Sequence, residues 1–121
     1  MQGILIDPKA KTVTTCEVDD GNPLQSLYTL MRCSIVEQVH LDGGDVLLVD
    51  EEGKLEYPNK DGYFTIALIP ENIFAGCAIL LTEINADWKD TGFSIEEVQG
   101  LVEWCSPTEK QVKPRAFIFS W

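Results

Sequence analysis

The chain has 121 residues, enough for one compact core and too few for two. A hydrophobic fraction of 45% excludes a wholly disordered chain, and no apolar run approaches the ~20 residues that a membrane span needs. Nine Lys and Arg against twenty Asp and Glu leave a formal charge of −11, which repels phosphate backbones and anionic membrane surfaces and favours a basic protein partner.

In chain order, Gly3-Ile4-Leu5-Ile6-Asp7 is a short strand ended by the turn Asp7-Pro8-Lys9. The β-branched run from Thr12 to Val18 pairs with it as an N-terminal hairpin. Asp19-Asp20-Gly21 breaks that strand, and Asn22-Pro23 opens a helix as N-cap and first helical position. Leu24, Leu27, Tyr28 and Met31 give this helix one apolar stripe. A strand is expected from Ser34 to about Leu41, then a tight turn at Asp42-Gly43-Gly44-Asp45 and the fully apolar strand Val46-Leu47-Leu48-Val49. Leu55-Glu56-Tyr57 is a possible further strand between turn-rich segments, of which Pro58-Asn59-Lys60-Asp61-Gly62 is the most loop-like.

Two more strands are predicted over Tyr63–Leu68 and Cys77–Ile84. Ser94-Ile95-Glu96-Glu97 is a capping box that starts a second helix, with Ile95, Val98, Leu101, Val102 and Cys105 as its buried face and Ser106-Pro107 as its end. Ala116-Phe117-Ile118-Phe119 is predicted to be a last strand. The order β-β-α-β-β-(β)-β-β-α-β implies a single α+β domain, a mostly antiparallel sheet with two helices packed on it.

The four cysteines, Cys16, Cys33, Cys77 and Cys105, lie far apart, without a Cys-x-x-Cys pair or zinc-finger spacing, and are expected to be reduced and structural. The N-terminal segment has no basic-then-apolar leader pattern, so a cytoplasmic protein is expected. His40 is the one histidine. No motif sets a nucleophile beside it, and neither acidic turn has the spacing of a calcium loop. No metal, cofactor or catalytic residue is therefore assigned.

Charge placement carries more information than any single side chain. Residues 42–61 hold seven acids and two lysines, net −5, and residues 83–103 hold six acids and one lysine, also net −5. The terminal stretch from residue 104 holds one acid and three bases, net +2. Trp88 sits among acids in Asn85-Ala86-Asp87-Trp88-Lys89-Asp90, read as a polar loop, where an exposed indole would serve as an interface anchor. The candidate interaction surface is Asp42, Asp45, Asp50, Glu51, Glu52, Glu56, Asp87, Trp88, Asp90, Glu96 and Glu97. If both acidic segments share a face, their fields add and steer a basic partner; if they lie on opposite sides, the charge serves solubility.

The opening Pro23-Leu24, the segment Val46-Leu47-Leu48-Val49-Asp50-Glu51-Glu52-Gly53-Lys54 with Pro58-Asn59, and Asn72-Ile73-Phe74-Ala75-Gly76-Cys77-Ala78-Ile79-Leu80 resemble the domain of unknown function 3846 family over roughly residues 1–85. Residues 86–121 then form a helix–strand extension. The resemblance implies a small protein of phages, plasmids and conjugative elements, and it brings no catalytic residue with it. A non-enzymatic accessory protein that binds a basic protein partner through its acidic surface, with host defence as one target, is thus expected, with no direct nucleic acid and no membrane; the terminal strand either completes its own sheet or pairs across a homodimer. The alternative is a small-ligand module of nucleotide type using Lys9, Lys11, Arg32, Lys110, Lys113 and Arg115; a hydrolase built on His40 or paired carboxylates is the third reading.

Overall fold

A computed structural model describes residues 1–113. The N-terminal hairpin forms as the β-branched pattern predicts: β1 (Gln2–Asp7) pairs antiparallel with β2 (Thr12–Glu17) in the register Gln2↔Glu17 to Asp7↔Thr12. Helix α1 (Pro23–Met31) starts at Asn22 with Pro23 in its first turn and ends on Arg32 in the left-handed conformation, φ 56°. The Asn22 side chain makes no capping bond. Of the predicted stripe, Leu27 and Met31 are fully buried and Tyr28 is half-buried, whereas Leu24 is 46% exposed.

β3 (Val36–His40) and β4 (Asp45–Asp50) flank a 3-10 turn at Asp42–Gly44. After a series of turns come β5 (Tyr63–Ile66), the two-residue β6 (Phe74–Ala75) and β7 (Ala78–Ile84). Leu55-Glu56-Tyr57 is not a strand: Leu55 is 70% exposed, and Tyr57 is held by its hydroxyl donating to the Pro107 carbonyl at 2.7 Å.

β8 (Asp87–Lys89) turns back onto β7, so Trp88 lies in a strand and not in the loop that its polar neighbours suggest. The second helix, α2 (Ile95–Leu101), begins with the predicted Ser94–Glu97 capping box, both reciprocal bonds being formed. It stops at Leu101, four residues short of Cys105. Val102–Cys105 becomes β9, which pairs with β5 through Ile66↔Val102 to Tyr63↔Cys105. The apolar residues at helical spacing there are equally strand residues, and β5 offers a backbone ladder that a third helical turn would forgo. A third helix, α3 (Glu109–Val112), follows a Thr108–Gln111 capping box that the sequence reading passed over. The predicted strand at 116–119 lies outside the described residues.

The fold is α+β, and all strand pairs are antiparallel. One sheet has the order β2-β1-β7-β4-β3, with β8 extending β7 beyond β1; the other has the order β6-β5-β9. The central strands β4 and β7 are apolar without alternation because both sheet faces are covered. Leu47, Val49, Ala78 and Leu80 join Ile4, Ile6, Phe64, Ile66 and Val98 in a core under the small sheet and α2. Val46, Leu48, Ile79 and Leu81 join Leu27 and Met31 in a second core under α1. Complete burial of each such aliphatic chain contributes about 1.5–3 kcal/mol, so β7 anchors both layers. Among the described residues, no helix is long and apolar enough to cross a membrane.

Candidate functional site: an acidic groove at one end of the main sheet

Strand geometry divides the acidic surface. Asp45 and Asp50 bound β4 and are five residues apart, which at ~3.3 Å per residue separates them by roughly 16 Å. Asp42 and Asp45 therefore lie at the β3–β4 turn, beside the end of β7, while Asp50, Glu51, Glu52 and Glu56 lie at the opposite end. Glu96 and Glu97 occupy the first turn of α2, over the other sheet face, where the Glu97 carboxylate is engaged by the Ser94 amide. The predicted residues thus form three groups and not one face.

Of the predicted residues, Asp87, Trp88 and Asp90 line a groove, and Asp42 and Asp45 are not part of its lining. An open depression of about 780 Å3 is lined by Asp20 and Pro23 from the entry to α1, Gln38 from β3, Glu83 from β7, and Asp87, Trp88, Lys89 and Asp90 from β8. The sequence places these far apart; the β7–β8 hairpin and the adjacent α1 entry bring them together. Trp88 forms the core-facing part: it packs against the α1-side core and donates its indole N–H to Gln38 Oε1 at 3.2 Å. A ring buried on one side and held at its nitrogen is a preorganised platform.

The electrostatics are negative. Four carboxylates line the groove, against Lys89 and the Met1 ammonium. That ammonium donates to Asp20 Oδ1 at 3.0 Å and to the Val18 carbonyl at 2.7 Å, and the Asp20 hydrogen bond raises its pKa despite some burial. Asp90 Oδ1 accepts from the Gln2 amide at 2.8 Å, which fixes the β8 end against β1. Asp87 and Asp90 are exposed, as is His40, whose Nδ1 stands 3.6 Å from Glu83 Oε1. Asp45 is less available: burial pushes its carboxyl pKa up, the Thr82 hydroxyl opposing this with a 3.4 Å bond.

On the other face of the same sheet edge lies a narrower depression of about 280 Å3, floored by the apolar side chains of Val39, Val49 and Phe74 and rimmed by Glu37, Asp50, Glu51 and Lys54. Burial lowers the Lys54 pKa, with Glu37 opposing.

Among the described residues, three of the cations that a phosphate-bearing ligand would need, Arg32, Lys113 and Lys11, have separate surroundings. Arg32 is committed to Asp7, with Nη2–Oδ1 at 3.2 Å and Nη1–Oδ2 at 3.4 Å, and it also faces Asp61 Oδ1 at 3.5 Å and Cys77 Sγ at 3.3 Å. Lys113 donates to the Leu55 carbonyl at 2.8 Å, and Lys11 stands in a separate depression with Trp104. Arg115 lies outside the described residues. The Asp7–Arg32–Asp61 cluster, with both carboxylates buried, escaped the sequence reading; its only local signals were the turn residues Asp7-Pro8 and Asp61-Gly62.

All four cysteines are free thiols. Burial pushes Cys16 and Cys33 up to about 11 and Cys77 up to about 12, so these three stay protonated at neutral pH. Among the described residues, no group of three or more His, Cys, Asp or Glu side chains is placed to hold a metal ion.

Over 49 residues the chain is 35% identical to a protein of Sinorhizobium fredii described as "uncharacterized protein y4iR", a match that covers 40% of this chain and about 30% of that relative's length. No family model matches the chain, and no solved structure matches it.

Proposed function

We propose that this protein is a non-enzymatic binding protein that docks a basic protein partner in the acidic groove at the β7–β8 end of the main sheet. The observation that carries this reading is Trp88, a half-buried indole clamped by Gln38 and surrounded by Asp20, Glu83, Asp87 and Asp90. Aromatic platforms ringed by charge suit a Lys or Arg side chain, whose cation lies over the ring while carboxylates pair with it. A net charge of −11 adds long-range attraction for a basic partner. The resemblance to the domain of unknown function 3846 family suggests a setting, an accessory protein of a phage or other mobile element acting on a cytoplasmic host or element-encoded protein.

Titration with an oligolysine peptide of about eight residues tests the reading, with the Trp88 indole N–H followed by NMR. The peptide is expected to shift that resonance, and raising ionic strength from about 0.02 M to about 0.3 M, which shortens the screening length from ~20 Å to ~6 Å, is expected to weaken binding severalfold. A peptide that perturbs the Glu51–Glu56 end and leaves Trp88 unmoved would count against the groove.

A further inference from the structure

We infer that the partner binds as an added antiparallel strand along β3, with basic side chains entering the Trp88 groove and apolar ones entering the depression on the opposite face. This rests on the groove reading above and specifies how the partner is held.

The backbone supplies the first argument. β3 ends the main sheet among the described residues, paired only with β4. The Glu51 amide donates to the Ile35 carbonyl at 3.1 Å and the Leu41 amide to the Asp45 carbonyl at 2.9 Å. Both bonds fall on odd-numbered residues that flank β3, one step beyond each end of the register Val36↔Asp50 to His40↔Val46. Bonded and non-bonded pairs alternate in an antiparallel ladder, so Glu37 and Val39 also turn their backbone groups inward to β4. The N–H and C=O groups of Val36, Gln38 and His40 therefore point outward, three donors and three acceptors in a row at the sheet edge. Gln38 and His40 are exposed. Edge strands are commonly shielded by proline, lysine or a bulge; Val36-Glu37-Gln38-Val39-His40 contains no proline or lysine.

Side-chain parity supplies the second argument. Gln38 lines the Trp88 groove on the α1 face, and Glu37 and Val39 line the depression on the other face. An added strand sends successive side chains to opposite faces, so each set meets a recess: carboxylates with an indole on one side, and on the other an apolar floor of Val39, Val49 and Phe74 inside a charged rim of Glu37, Asp50, Glu51 and Lys54. The recesses select a strand of alternating basic and apolar residues. A second copy of this chain is disfavoured by charge, since two chains of −11 would meet at an acidic edge.

The test uses the whole protein and a Lys-Val alternating peptide of about seven residues, in three forms: unmodified, N-methylated at its lysines, and N-methylated at its valines. Amide hydrogen exchange, read residue by residue, is expected to slow at Val36, Gln38 and His40 on adding the unmodified peptide and to stay unchanged at Glu37 and Val39. In antiparallel pairing the lysine amides face β3, so methylating them is expected to weaken binding at least ~10-fold, while methylating the valines leaves it within about twofold. A Trp88 shift without protection of the three amides would overturn strand addition and leave the groove reading standing. Loss of binding on valine methylation alone would overturn the antiparallel assignment. Concentration-dependent protection without peptide would make a second copy the occupant and overturn the proposal. No binding of any form would overturn this inference and the groove reading together.

Discussion

Arg32 stands where α1 ends and where two loops distant in sequence meet the sheet, and its guanidinium answers two carboxylates at once. Asp7 and Asp61 are 9% and 6% exposed, so neither can rely on water for its charge. Burial alone would push the Asp7 carboxyl pKa up. The Arg32 guanidinium, with the Ala10 and Lys9 amides, outweighs that and leaves it below its ordinary value. A carboxyl whose pKa is lower folded than unfolded adds stability above the unfolded value of ~3.9 and loses it as pH falls through the folded one. Arg32→Met reverses this, because the Asp7 carboxylate then keeps its burial and loses the cation that lowers its pKa. The variant is expected to lose about 1–3 kcal/mol at pH 7, the partly exposed arginine keeping the cost below that of a fully buried pair, and to recover part of the loss near pH 4. Urea unfolding at the two pH values measures both; an equal deficit at each would show that the guanidinium acts through packing alone.

At the scale of elements, legibility follows how local the determining contact is. The runs Val46–Val49 and Ala78–Leu81 disclose themselves because a strand covered on both faces has no polar position to offer. The Ser94 capping box is equally visible, being closed within four residues. The end of α2 is not, because β5 decides it from over thirty residues away. The β7–β8 hairpin is hidden for a different reason. Its two turn residues, Asn85 and Ala86, have φ of 53° and 67°, the pattern of a type I′ turn, but the sequence offers Asn-Ala where Asn-Gly would announce one. Ala86 pays for its Cβ in the left-handed region, so Ala86→Gly is expected to stabilise the protein by about 0.5–1 kcal/mol, read as a higher urea midpoint at unchanged m. Gly53 has the opposite logic. A Cβ there would stand 2.5 Å from the Ala75 carbonyl oxygen of β6, a rigid backbone atom. Gly53→Ala is expected to cost about 1–3 kcal/mol and to loosen the small sheet at β6, seen as faster exchange of amides in β5.

For the molecule as a whole, the question is whether its charge acts as a sum or as an arrangement. The sequence supplies the sum. It does not supply the arrangement, because β4 carries the two halves of one acidic run to opposite ends of the sheet, while β8 and the α1 entry bring Asp87 and Asp90 beside Asp20. A pair of double variants separates the two effects, since each removes the same two charges. Asp87→Asn with Glu83→Gln removes two of the four groove carboxylates. Glu96→Gln with Glu103→Gln strips exposed positions on α2 and β9 and leaves the Ser94–Glu97 cap intact. If net charge alone attracts a basic partner, both proteins lose affinity for oligolysine equally, mainly in association rate. If the groove is the site, the first loses roughly 10-fold or more, with a large share in the dissociation rate because paired charges over Trp88 are lost, and the second stays within about twofold. Stopped-flow kinetics at low ionic strength resolve the two, and equal losses would assign the acidity to solubility and general attraction and leave Trp88 as a core lid.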